Sequence, residues 1–233
     1  QDGLPNVIRV NSGSSAGVPL ADLLYSLAMA RVLTNVRDAI EGENVASYIS
    51  LNGAQQVVHD ASFVDDVVMP IIDDACNIVN KVSKVCSVVI SVFTMFSLSI
   101  NFSPGKTEVS ICVRGGGSKQ VNRKLAIAGG TIEVVHKHGS VKLLTVSSYK
   151  HVGTVFSPDC RPDLDVALKC GIMRQECRRI NKHIFSQSGI SIRRKIQVLQ
   201  TYILSKGLFQ SCTWPELSPN AYKKLHITIV KIY

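Results

Sequence analysis

The chain predicts an α+β fold: antiparallel hairpins packed against long helices, followed by a basic helical region. Three observations carry this. Asn52-Gly53 and Asp65-Asp66 stand as turns between strand-like runs, apolar residues recur at helical spacing over 19–40 and 73–98, and the chain is helical in pattern from Pro162 onward.

Taken in order, residues 7–11 (VIRVN) read as a short strand and 12–17 as a loop of small residues. Pro19 opens a helix, since a proline in the first turn sacrifices no hydrogen bond. Leu20, Leu23, Leu24, Leu27 and Ala28 form one apolar stripe on it, and Glu41-Gly42-Glu43-Asn44 ends it. Val45 to Leu51 is strand-like, Asn52-Gly53 turns the chain, and the return strand over 55–64 leads into Asp65-Asp66. The second long helix, 73–98, has acidic Asp73 and Asp74 in its first turn, complementing the helix dipole. Residues 101–106 form a turn, 107–113 a strand, 115–118 a flexible glycine loop, and 125–156 read as β-ribbons. Helices follow over 162–186, 191–211 and 219–233, with Ser218-Pro219 as N-cap and first helical residue of the last. A boundary near Ser157-Pro158 separates regions 1–158 and 159–233.

The 233 residues are 45% hydrophobic and 18% charged, a globular rather than a disordered composition. Seven cysteines without a C-x-x-C pair fit a reducing compartment, so an intracellular location, nucleus or cytoplasm, is expected. No leader is visible at the N-terminus, and Val85 to Ile100 is shorter than the ~20 residues of a bilayer span. A buried helix is expected there, with no membrane partner.

The net charge of +9 is unevenly spread. Residues 1–110 carry 6 Lys and Arg against 11 Asp and Glu, whereas residues 111–233 carry 20 against 6. An acidic part suits cations, and a basic part suits a phosphate backbone. Within the acidic part, Phe63-Val64-Asp65-Asp66 places two carboxylates side by side at a turn. Adjacent like charges are costly unless a cation neutralises them, and a hard divalent ion takes carboxylate oxygens.

The order of four segments resembles reverse transcriptases, most closely those of non-LTR (LINE-like) retrotransposons. Ser15-Ala16-Gly17-Val18-Pro19-Leu20 resembles their loop-helix, and Phe63-Val64-Asp65-Asp66 their metal-holding hairpin. Leu98 to Glu108 resembles their G-L-x-x-N-x-x-K-T-E segment, and Tyr149-Lys150-His151-Val152-Gly153 their primer-gripping hairpin. The resemblance implies a polymerase palm over 1–158 and an α-helical thumb over 159–233. It implies RNA-directed DNA synthesis on an RNA template and a DNA primer, with dNTP as substrate and Mg²⁺, or Mn²⁺ in its place, as cofactor.

By the same resemblance, Asp65 and Asp66 hold the metal, and Lys106 neutralises or protonates the leaving pyrophosphate. Gly17, Pro19 and Phe63 line the nucleotide and template site, and Tyr149, Lys150 and Gly153 hold the primer end. Arg178, Arg179, Lys182, Arg193, Arg194 and Lys195 follow the nucleic-acid backbone. Ala16 stands where the family has Gln, and Asp22 where it has Pro. Palms of this kind use a further carboxylate on a strand before the loop-helix. Asp2 is the sole acid ahead of Asp22, so the third ligand and the fingers are expected from a preceding segment of the same protein. The rival expectations are a catalytically dead nucleic-acid-binding remnant, and an RNA-dependent RNA polymerase or intron maturase, which share the paired-acid hairpin.

Overall fold

The computed structural model describes residues 19–63, 66–151 and 153–232. The expected strand 7–11, the loop 12–17 with Ala16 and Gly17, and Asp2 and Asp65 lie outside these residues. The fold is mixed α+β with small antiparallel sheets. The chain forms two compact units, one of residues 1–107 and 113–144, the other of 108–112 and 145–233.

In the first unit, α1 (Pro19–Gly42) is followed by the hairpin of β1 (Ser47–Leu51) and β2 (Ala54–Val58). Asn52 and Gly53 both adopt positive φ, the conformation that an Asn-Gly hairpin turn requires. A second hairpin joins β3 (Ala61–Phe63) to β4 (Asp66–Val68), with Phe63 opposite Asp66. The expected single strand over 55–64 is thus two, broken at His59-Asp60. The cause is Asp60, whose carboxylate turns inward to accept Arg37 Nε at 2.6 Å and Nη2 at 3.0 Å. Its side chain is 3% exposed, so the guanidinium is what allows the charge to be buried.

α2 (Ile78–Met95) is shorter at both ends than the expected 73–98. Asp73 and Asp74 precede its first turn rather than occupying it. Lys81 reaches back to the Ile72 carbonyl at 2.8 Å and the Ser47 hydroxyl accepts the Ile72 N–H at 2.9 Å, which holds the approach segment extended. By length and composition α2 is apolar enough to cross a membrane, and here its Ile78, Val82, Val85, Val88, Ile90 and Val92 are buried. Val88 and Val92 meet Met29, Val32, Leu33 and Val36 of α1, with Val67 and Met69 against the same core.

The stripe expected on α1 is not the buried one. Leu20, Leu23, Leu24 and Leu27 are 56–63% exposed, and Ala28 is exposed too. The interior instead takes Met29, Val32, Leu33 and Val36 of α1, which cluster with Val88 and Val92 of α2.

The glycine loop expected at 115–118 instead leads into α3 (Ser118–Ile127), with Gly117 at positive φ as its N-cap. Helix therefore replaces β-ribbon over 125–127. β6 (Thr131–His136) and β7 (Gly139–Thr145) then form a hairpin whose Ile132, Val134 and Leu143 are buried. β6 packs on α2, where the Ser83 hydroxyl donates to the Glu133 carbonyl at 3.0 Å. His136 and His138 lie at its turn, their rings 6.2 Å apart.

In the second unit, the strand expected over 107–113 shrinks to β5 (Glu108–Val109). The hairpin of β8 (Tyr149–His151) and β9 (Thr154–Phe156) precedes α4 (Asp163–Ile180), which runs into a π-helical turn at Asn181–Phe185. α5 (Ile192–Val198) continues through a π-helical turn at Leu199–Leu204 into α6 (Ser205–Gly207). α7 (Pro219–Ile232) closes the described chain, and the Ser218 hydroxyl accepts the Ala221 N–H at 3.2 Å as the expected N-cap.

The core of this unit joins Val166, Cys170 and Met173 of α4 to Leu199, Ile203 and Ala221, with Trp214, Leu225 and Ile229 around them. Gly207 lets α4 and α6 close up: a Cβ built on it would run into the Met173 side chain. Gly207→Ala is expected to force that contact apart and lower stability by about 1–3 kcal/mol, read from urea unfolding. In the first unit, Arg37 holds the Asp60 carboxyl below the ordinary carboxylate range. Its contribution is therefore full above the unfolded-state value of about 4 and fades as pH falls through the lower folded-state value. Because Arg37 is partly exposed, Arg37→Ala is expected to cost only about 1–2 kcal/mol at pH 7, and to flatten the acid limb of stability against pH.

Candidate functional site

Each unit presents candidate residues on a hairpin, and in each the sequence explains how the hairpin is mounted. In the first unit, β3–β4 alternates: Val67 faces the α1/α2 core, whereas Asp66 and Val68 are exposed. Met69 packs on the same core, just beyond β4. The hairpin is also fixed on both flanks, by Asp60 to Arg37 before it and by Ile72 to Ser47 and Lys81 after it.

Asp66 therefore stands at the solvent side of a braced turn. Its carboxylate is the donor type a hard divalent cation takes. Among the described residues no three His, Cys, Asp and Glu side chains gather as a metal-binding group. The acids on offer at the turn are Asp66 and its chain neighbour Asp65, which lies outside the described residues.

Of the remaining candidates in this unit, Pro19 begins α1 and Phe63 ends β3, while Gly17 lies outside the described residues. Lys106 is exposed in a compact turn over 101–107. Asn101 organises that turn: its side-chain oxygen accepts the Ser103 N–H at 2.9 Å and its carbonyl accepts the Thr107 N–H at 3.0 Å. Gly105, at φ +80°, allows the reversal just before the lysine.

In the second unit, Tyr149, Lys150 and Gly153 lie on β8–β9 and at its turn. Gly153 has φ +82°, and a Cβ there would come 3.2 Å from the Phe209 ring. α4 fastens this hairpin through two buried charged side chains, Asp165 at 1% and Lys169 at 3% exposure. Asp165 accepts the Val155 N–H at 3.0 Å on one oxygen and Trp214 Nε1–H at 2.7 Å on the other. Lys169 donates to the Gly153 carbonyl at 2.9 Å, its ammonium 5.4 Å from the centre of the Phe209 ring. The Thr154 hydroxyl donates to Gln210 Oε1.

The sequence boundary near 157–158 falls between this hairpin and α4, yet the two form one compact unit through these bonds. Asp165, Lys169 and Gln210 escaped the sequence reading. The available signal was an i, i+4 Asp/Lys pair on a helix, which ordinarily marks a solvated face.

The cations divide by what they already do. Arg179 and Lys206 flank Glu176 at 3.7 and 3.2 Å, and the Tyr202 hydroxyl first, then Lys206 and Arg179, hold that carboxyl below its usual range. Lys195 donates to the Phe185 carbonyl at 2.8 Å, so its ammonium joins α5 to the π-helical turn after α4. Arg178, Lys182, Arg193 and Arg194 are exposed, and none has an ion-pair partner among the described residues. These four remain available to an external anion.

Set beside known proteins, the chain matches no protein-family model, no curated protein and no solved structure.

The mounting of β8–β9 yields a direct check. Asp165→Ala strips two donors of their charged acceptor and is expected to lower stability by about 3 kcal/mol, measured by urea unfolding. Gly153→Ala, placing a Cβ at positive φ against Phe209, is expected to cost about 1–2 kcal/mol in the same measurement.

Proposed function

We propose that this chain is the later palm and thumb part of an RNA-directed DNA polymerase of the non-LTR retrotransposon kind. The observation that carries the proposal is the braced β3–β4 hairpin, which presents Asp66 to solvent beside Asp65 in sequence. A metal-holding turn must keep its carboxylates fixed and wet at once, and this hairpin's inward Val67 and outward Asp66 fit that demand. Unit 2 supports the same reading with 14 Lys and Arg against 6 Asp and Glu, including the four unpaired exposed cations.

Under this proposal Asp65 and Asp66 are the chain's own ligands for Mg²⁺, or Mn²⁺ in its place. Bound there, the metal supplies acidification of the primer 3′-hydroxyl and neutralisation of the departing pyrophosphate. Lys106 offers an ammonium to that pyrophosphate from an ordered turn. Tyr149, Lys150 and Gly153 hold the primer end on a hairpin that α4 keeps from shifting. Arg178, Lys182, Arg193 and Arg194 contact phosphates without reading sequence. Arg179 is shared with Glu176, and Lys195 acts through the helix junction rather than on the ligand.

A second reading, a nucleic-acid-binding remnant that needs no metal, rests on the same four cations. The two separate in one set of assays. Fluorescence anisotropy with a labelled RNA–DNA hybrid is expected to show binding that weakens with KCl. Four phosphate contacts give a slope of log K on log salt of about −3.6, and Arg193→Ala with Arg194→Ala is expected to make it shallower by about 1.8. A polypeptide lengthened upstream of Gln1 is expected to extend a primer with dNTPs in Mg²⁺, and Asp65→Ala to abolish extension while hybrid binding persists. Binding with no extension in either metal supports the remnant. Extension with NTPs in preference to dNTPs supports an RNA polymerase. No binding at low salt sinks all three.

A further inference from the structure

We infer that the aromatic face of β8–β9, formed by Tyr149, His151 and Phe156, is a stacking platform for an unpaired base of single-stranded nucleic acid. It rests on reading unit 2 as a nucleic-acid binder and adds where a base sits on it. Directly opposed residues of an antiparallel pair share a face, as do alternate residues along a strand. Tyr149 opposes Phe156 and His151 opposes Thr154, so the three rings lie together, with Lys150 and Val155 on the reverse. The Tyr149 and His151 rings are 6.4 Å apart with planes 25° from parallel, and those of His151 and Phe156 are 6.4 Å apart at 50°.

One end of this face is closed, because Thr154 is buried and bonded to Gln210. The other is open, with Phe156 46% exposed. Strands of three residues do not hold a shape alone in water. Their backbone is held by Asp165 at the Val155 N–H and by Lys169 at the Gly153 carbonyl, so the strands that carry the rings are fixed before a ligand arrives.

Charge selects the occupant. The unit carries a net of +8, and Lys150 adds an exposed ammonium on the reverse face of the hairpin. An aromatic face on a unit of net positive charge suits a ligand that is both π-faced and anionic, which is a nucleotide chain. Its base stacks on the platform while its phosphates lie toward the cations.

The test uses the whole chain and a single-stranded DNA oligonucleotide carrying 2-aminopurine, with anisotropy for affinity and 2-aminopurine quenching for stacking. Phe156→Ala is expected to weaken binding about 10-fold and abolish the quenching, with the salt slope unchanged. Phe156→Leu keeps the apolar bulk without the π face and is expected to behave as Phe156→Ala does, whereas Phe156→Trp retains both signals. Urea unfolding confirms that the variants fold. Should wild type bind with no quenching, or Phe156→Leu bind as wild type does, the platform is wrong while nucleic-acid binding stands. A chain that binds neither oligonucleotide nor hybrid at low salt overturns both. If light scattering shows that Phe156→Ala merely dissolves a self-associated form, the face belongs to a second copy and the inference falls.

Discussion

The second unit depends on a pair of charges that ought not to be buried. Asp165 and Lys169 lie one helical turn apart on α4 and have almost no contact with solvent. Each offsets its desolvation by bonding to groups outside its own helix. Asp165 takes the Val155 amide and the Trp214 indole, and Lys169 takes the Gly153 carbonyl. Single hydrogen bonds contribute modestly, but orphaning a buried charge is expensive. The arrangement is therefore held in one geometry, and the β8–β9 hairpin cannot drift from α4 without stranding both charges.

The first unit applies the same physics with a different partner. Asp60 is buried only because Arg37 meets it with two parallel N–H groups, the geometry in which guanidinium and carboxylate match best. That bond divides what would be one long strand into two short hairpins. The second hairpin then inherits an inward Val67 and an outward Asp66. An exposed acid on a braced turn thus follows from a buried acid six residues earlier. In both units, a hairpin bearing candidate chemistry is fixed by a buried ionic side chain.

The sequence was legible where local chemistry decides alone. Asn52-Gly53 took the positive φ angles expected of it, Pro19 opened α1, and Ser218 capped α7. It misled where burial decides. The leucines of the first turns of α1 are as periodic as Met29, Val32, Leu33 and Val36, but only the latter meet α2. Gly115 to Ser118 reads as slack chain, yet Gly117 uses its left-handed φ to start α3. Six cations of the C-terminal helical region look alike in sequence, and only partners in space separate the four unpaired ones from Arg179 and Lys195.

By itself, then, the sequence determined the mixed α+β character, the acidic and basic halves, the Asn52-Gly53 turn and the starts of α1 and α7. These follow from backbone preference, periodicity and charge, all of which act over a few residues. Tertiary structure alone decided which apolar stripe is core, where the strands break and which charges are consumed internally. Those outcomes turn on desolvation, and whether a group loses its water depends on neighbours that the chain brings close from far along its length.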